Sequence, residues 1–237
     1  MPEPTTPRQK LIIAIDGPSG AGKGTIARQL AGRLRYRHVD TGAMYRAVAW
    51  KARHEGVDLQ DEDAVAALSQ HASFELEDGR IAIDGHDVSQ AIRTPEIDAA
   101  AAAVARLPAV RRVLVSRQQS LGESGGVVME GRDIGTVVFP NADLKIYLDA
   151  SPEERARRRA NDPSHRSSSG AALSEVATAL AERDRSDSTR EVSPLVMAAD
   201  AILIETTGVP IESVVDRVLS MVLHRSRPGA DTPGSTH

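Results

Sequence analysis

The sequence predicts an α/β fold, a three-layer sandwich with a five-stranded parallel sheet between helices, interrupted by one antiparallel insert. Three observations predict it. Five short apolar runs recur along the 237 residues, each the length of a buried strand. Stretches of helical period separate them, and alternation of this kind builds parallel sheets covered on both faces. One region breaks the pattern with strict period-two alternation, the mark of antiparallel strands.

The first run, Leu11–Ile15, leads into Asp16 and a glycine-rich turn. Lys23–Leu34 then places Ile26, Leu30 and Leu34 on one helical face. Arg37–Val39, Val127–Met129, Leu144–Leu148 and Ala201–Ile204 are the other strand candidates. The runs end on or beside acids, among them Asp16, Asp40, Glu130 and Asp149. The insert spans 60–106. Ser73–Val88 alternates, with turn signals at Asp78-Gly79 and Asp84-Gly85, and a helix follows over Glu96–Arg106. Glu153–Arg159 and Glu175–Arg185 read as charged helices, and Ile211–His224 repeats apolar residues at helical spacing. Asn161–Ala171 is rich in Ser, Gly, Pro and Asp and reads as a mobile loop. Arg225–His237, nearly without apolar residues, reads as a disordered tail. The expected organisation is a core over 10–59 and 107–224, the insert, a lid near 155–172, and the tail at 225–237.

Composition narrows the function classes. A net charge of -4 and 3% aromatic residues argue against a nucleic-acid binder, which needs basic patches or stacking platforms. The absence of cysteine excludes disulfides, iron–sulfur clusters and thiolate zinc. Met1–Lys10 has no apolar core of the kind a secretory leader needs, and no run is long enough to span a bilayer. A cytoplasmic, membrane-free chain is expected. Among 29 basic residues only Lys10, Lys23, Lys51 and Lys145 are lysines, so a lysine in a motif is informative and an arginine much less so.

The strongest motif is Asp16-Gly17-Pro18-Ser19-Gly20-Ala21-Gly22-Lys23-Gly24-Thr25. It fits the GxxxxGK frame of a phosphate-binding loop, a P-loop. Glycines let successive backbone N–H groups turn onto phosphate oxygens, the following helix adds its positive N-terminus, and Lys23 supplies a point charge for the β- and γ-phosphates. A chance match in this composition is roughly 2%. Gly24 stands where the magnesium-binding hydroxyl usually sits, and Thr25 carries a hydroxyl one position later. No Asn-Lys-x-Asp base-reading motif of a GTPase occurs.

Asp40-Thr41-Gly42-Ala43-Met44-Tyr45-Arg46 follows the second strand, and further motifs come in order: Ile92-Arg93-Thr94, Pro108-Ala109-Val110-Arg111, Glu130-Gly131-Arg132-Asp133, Glu182-Arg183-Asp184-Arg185-Ser186-Asp187, and Arg190 ahead of Ser193-Pro194. Together with the GPSGAGKGT loop, this set resembles the bacterial cytidylate kinase family from about Leu11 to Met221. The resemblance implies a P-loop kinase that moves the γ-phosphoryl group of ATP to CMP or dCMP with Mg²⁺, as a monomer, with a nucleotide-binding insert and a short helical lid. It implies that the loop 17–25 binds ATP and that Arg46, Arg132 and Arg190 grip the acceptor phosphate. Asp133 and Arg111 would read the cytosine edge, since a carboxylate accepts from the N4 amine that uracil lacks. Arg183 and Asp187 would contact ribose; their i,i+4 spacing equally suits a structural ion pair. Thr41 and Tyr45 would line the pocket, Arg158 and Arg159 would close over ATP phosphates, and Glu130 would orient a metal-bound water. Lys23, Arg132, Arg158, Arg159 and Arg190 would carry catalysis. One departure concerns the base: Ala102 stands where the family has a serine.

Overall fold

The computed structural model describes residues 10–77, 79–162 and 173–225. Five parallel strands form the core sheet: β1 (Ile12–Asp16), β2 (Arg37–Asp40), β6 (Val127–Glu130), β7 (Leu144–Asp149) and β8 (Ile202–Glu205), in the order β2-β6-β1-β7-β8. Each expected strand is present, shifted by one residue at most at its start. The strands alternate between two apolar faces. Ile13 and Ile15 pack with α1 (Lys23–Leu34) and α8 (Ile211–Arg225). Ala14 between them faces Val39, Met129 and Ile134 on the opposite side. The central strands β1, β6 and β7 are buried on both faces and read as nearly unbroken apolar runs, while the edge strands β2 and β8 are partly exposed.

The acids that end the runs gather at one edge. Asp40 pairs in register with Glu130, and Asp149 with Glu205. That is the carboxyl edge of the sheet, where open α/β sheets bind their ligands. Such acids cannot continue a buried strand, and here they end it.

The insert contains a three-stranded antiparallel sheet, β3 (Phe74–Glu77), β4 (Arg80–Ile83) and β5 (His86–Asp87), followed by α4 (Pro95–Val104). Asp84 and Gly85 both take positive φ in the β4–β5 turn, while Asp78 of the other expected turn lies outside the described residues. Thr94 caps α4 by accepting from Ile97 N, with Pro95 in the first turn. Three helices were not anticipated: α2 (Thr41–His54), α3 (Glu62–His71) and α5 (Pro108–Gly122). Asp40 caps α2 and Asp61 caps α3, each through its carboxylate. One apolar cluster joins α2, α3, the small sheet, α4 and the start of α5.

The α6 helix (Pro152–Ala160) and α7 (Leu173–Ser188) pack on each other through their own small cluster, Ala156, Val176 and Leu180. The expected loop falls largely on residues 163–172, which lie outside the described residues, as does 226–237 of the expected tail. Arg225 itself ends α8 and donates to the Asp143 carbonyl. No helix among the described residues is long and apolar enough to cross a membrane.

Candidate active site

The phosphate loop turns directly from β1 into α1. Gly17 has φ +145°, and a Cβ there would lie 2.0 Å from the Leu148 carbonyl oxygen of β7. Only glycine lets the loop start this close to the neighbouring strand. Lys23 opens α1, is buried, and donates from Nζ to the Pro18 carbonyl at 2.7 Å. Burial, and then the positive charge of Arg132, lower its pKa to about 7. Asp16 is buried as well, and burial raises its pKa to about 6, against the opposing hydrogen bonds from Gly135 and Ile134. Those two backbone N–H groups donate to the Asp16 carboxylate at 2.7 and 2.8 Å. They begin a π-helical turn, Ile134–Val138, a conformation frequent at functional sites. Asp16 therefore ties the strap that carries Arg132 and Asp133 to the end of β1.

The lysine gives a first testable consequence. If Lys23 meets the phosphates of a triphosphate, binding favours its charged form, takes up nearly one proton at pH 8.5, and weakens as pH rises above about 7. Calorimetry in two buffers of different ionisation enthalpy measures the uptake; none at pH 8.5 contradicts the assignment.

Gly24 leaves room that a side chain would fill. A Cβ there would stand 3.2 Å from Glu130 Oε1. The same oxygen meets His38 Nε2 at 2.9 Å, with both side chains nearly buried, while the Glu130 backbone carbonyl accepts from Thr41 Oγ1 at 2.7 Å. A carboxylate thus stands where common phosphate loops place a hydroxyl. No cluster of three or more His, Cys, Asp or Glu able to hold a metal occurs among the described residues. The donor set fits a magnesium ion held mainly by water and substrate oxygens, with Glu130 as the oriented acceptor.

A cavity of about 920 Å³ opens between the loop, α2, the π-turn strap, α4, α6 and α7. Arg46, Arg132, Arg183 and Arg190 line it together with Lys23 and Thr25. Each arginine is held by an acid. Arg46 donates to Asp40 at 3.0 Å, and Arg132 to Asp187 at 2.8 Å. Arg190 lies 3.7 Å from the other oxygen of Asp187, and Arg183 is 3.1 Å from Asp98. The Arg183–Asp187 helix pair that the spacing allowed does not form; the two side chains turn to different partners. Donors remain unspent: Arg46 Nε, Arg183 Nε, and Nε and Nη2 of Arg190 are buried with no hydrogen-bond partner. Burial lowers the pKa of Arg183, helped by nearby Arg132. Burial also lowers that of Arg190, helped by Arg111.

Arg111 is 2% exposed and pairs with buried Asp133, also donating to the Ala105 carbonyl at 3.2 Å. Its guanidinium lies 5.4 Å from the Tyr45 ring centre, within cation–π range. Burial raises the Tyr45 hydroxyl to about 12, so it is neutral. Ala102 lines the same cavity as Arg111 and Asp133.

Arg158 is braced rather than free, donating to the Thr206 carbonyl at 2.6 Å and the Ala21 carbonyl at 3.3 Å. Arg159 pairs with Asp98. Of the expected residues, Gly17, Pro18 and Ala21 do not line the cavity; they shape the loop behind it. Sequence reasoning missed His38, Asp98 and Asp184. Asp184 accepts from the backbone N–H of Ser19 at 3.1 Å and pairs with Arg155, bracing the loop tip from α7. Its only signal was a place between Arg183 and Asp187. It also missed Thr206, Val209 and Ile211, which wall the cavity beyond Arg158.

Comparison with known proteins identifies the family of the chain. The family model described as Cytidylate kinase matches residues 13–224. A cytidylate kinase from Solibacter usitatus is 46% identical over 95% of this chain and 98% of its own length. One from Desulfitobacterium hafniense is 49% identical over 90% and 93%. A bifunctional pantoate ligase/cytidylate kinase from Prochlorococcus marinus is 47% identical over 89% of this chain, which spans 44% of that longer protein. With a family match over nearly the whole described core, and the loop, arginines and carboxylates gathered around one cavity, the chain belongs to the cytidylate kinase family.

Proposed function

We propose that the protein transfers the γ-phosphoryl group of ATP to CMP or dCMP, giving ADP and CDP or dCDP. The carrying observation is the set of buried, unpartnered guanidinium nitrogens on Arg46, Arg183 and Arg190 in the cavity that the phosphate loop also lines. Buried donors without partners are costly, and two phosphate-bearing anions brought together would take them up. The chain then holds both nucleotides while offsetting their mutual repulsion.

In this reading the loop 17–25 and α1 hold the donor phosphates, and Lys23 leaves the Pro18 carbonyl for them. Arg46, Arg132 and Arg190 hold the acceptor phosphate, with Asp133 and Arg111 on the base and Arg183 and Asp187 on the ribose. An acceptor phosphate oxygen attacks the γ-phosphorus as its bond to the β-γ bridging oxygen breaks, and ADP leaves. That oxygen is already anionic, so no side chain need act as general base. Mg²⁺, when bound, would neutralise charge on the β- and γ-oxygens, with Glu130 holding one of its waters. Arg158 and Arg159 cover the donor phosphates and exclude water. The insert 60–106 is the acceptor-binding subdomain, with 155–172 as the lid. The protein works as a cytoplasmic monomer on free nucleotides, with neither nucleic acid nor membrane as partner.

With γ-labelled ATP and CMP, label appears in CDP; label released only as inorganic phosphate overturns the proposal. Ala102→Ser adds a hydroxyl at the cavity wall. One neutral hydrogen bond to cytosine, ~1 kcal/mol, raises the CMP-over-UMP ratio of kcat/KM about fivefold. An unchanged ratio shows that the base is read without this position.

A further inference from the structure

Asp98 lies on α4, in the insert, yet it reaches partners on two other helices. Its Oδ2 pairs with Arg159 at the end of α6, and its Oδ1 accepts from Arg183 Nη1 of α7 at 3.1 Å. Both guanidinium groups line the cavity. Each sits among repelling cations: Arg46 opposes the charge on both, and Arg132 that on Arg183. One carboxylate therefore bridges two arginines that would otherwise repel across the cavity.

The joint it makes is polar. The apolar cluster containing α4 includes no described residue of α6 or α7, and those two helices share a separate small cluster. Besides Asp98, Arg106 just past α4 donates to Ser186 Oγ of α7 at 3.2 Å. Surfaces joined by charge and hydrogen bonds, without a shared dry core, part more readily than packed ones. A carboxylate contact of this kind can break and re-form as the cavity admits its ligands.

We propose that Asp98 is a positioning residue that clamps the insert to the α6–α7 pair and so couples occupation of the two nucleotide sites. Closing the insert over the acceptor brings Asp98 to Arg159, and the paired Arg159 is then set over the donor phosphates. Coupling between the sites rests on the functional reading above, in which Arg159 faces the donor and Arg183 the acceptor. The clamp itself rests only on the contacts of Asp98.

The test separates these two parts. The chain has no cysteine, so Gln90→Cys and Ala179→Cys, both at exposed positions, give one clean pair of spin labels across the joint. Pulsed electron–electron resonance on the full chain without nucleotide reads the distance distribution. Asp98→Asn removes the charge while keeping the shape, and the distribution broadens and shifts to longer distance. Asp98→Glu, which restores a carboxylate, recovers much of the closed population. A distribution unchanged in Asp98→Asn overturns the clamp, whatever the protein phosphorylates.

Calorimetry then measures CMP affinity with and without a magnesium complex of a non-hydrolysable ATP analogue. In the parent the analogue tightens CMP binding, and in Asp98→Asn that enhancement falls at least fivefold. A broadened distribution with undiminished enhancement overturns the coupling and leaves the clamp. A parent that binds neither nucleotide refutes the functional reading, while the distance measurement still decides the clamp.

Discussion

Lys23→Met lowers kcat by a factor of ~10²–10³, the range found when one preorganised donor is removed from developing negative charge. Lys23 is the only lysine lining the cavity, and it sits at the first turn of α1 among the loop's N–H groups. Methionine keeps the length and apolar body of the side chain but offers the phosphates nothing. The fold survives, because the parent's own charge is the unfavourable part. Burial lowers the folded-state pKa from 10.5 to about 7, so between those values the unfolded chain holds a proton that the folded chain lacks. Stability of the parent therefore rises with pH across that window. Relative to the parent, the variant gains stability as pH falls from 10.5 towards 7, and the gain levels off below it. Denaturant melts of both proteins at several pH values check the sign, and steady-state kinetics check the loss of turnover. A kcat within a few-fold of the parent would remove Lys23 from the site.

The second large effect is on stability. Asp133→Ala destabilises the protein by ~3–5 kcal/mol, the loss typical when one partner of a buried ion pair is removed. Arg111, 2% exposed, would be left with only the Ala105 carbonyl and the Tyr45 ring, and Arg190 nearby would keep Asp187 but lose the second carboxylate that opposes its charge. Arg111→Met combined with Asp133→Leu recovers most of that loss, since well-packed apolar residues replace a buried pair at little cost. Urea unfolding of the two single variants and the double variant measures the cycle. A loss below about 1 kcal/mol for Asp133→Ala, the range of solvated pairs, would mean the pair is not dry. The pairing also alters how base recognition must be tested: alanine at 133 weakens the fold and the pocket together. Asp133→Asn keeps the shape and an oxygen that can accept from Arg111 while removing the charge, so its loss of cytosine preference is read against its own measured loss of stability.

The parts of this molecule legible in its sequence are those set by short-range physics. The central strands β1, β6 and β7 were readable because a strand dry on both faces must be largely apolar, and the acids that end the strands mark the sheet's carboxyl edge. The phosphate loop was readable because few residue types other than glycine can bring consecutive N–H groups to one point. Lys23–Leu34 was predicted with the bounds it has. The α2 helix was not, because its buried face is largely alanine, with Ala43, Ala47, Ala49 and Ala52, and alanine gives little amphipathic contrast. The α5 helix hides for another reason: its inward face carries Arg111 and Gln118, residues that a periodicity reading assigns to water.

The site divides in the same way. Motifs supplied the arginines, but not their partners. His38 meets Glu130 across 92 residues, and Asp98 meets Arg183 across 85. Such distances close only when β2 lies beside β6 and the insert folds over α7. The i,i+4 spacing of Arg183 and Asp187 was local information, and it suggested a pair that does not form, because each side chain finds a better-placed partner on another element.

The most direct test of the central claim is an acceptor panel. ADP formation from Mg-ATP is followed in a coupled assay with CMP, dCMP, UMP, AMP or no acceptor. The account predicts strong turnover with CMP and dCMP, weaker turnover with UMP, and little with AMP or ATP alone. Equal ADP formation with and without CMP would contradict it, leaving a phosphate loop that hydrolyses ATP and an acceptor site that does not exist.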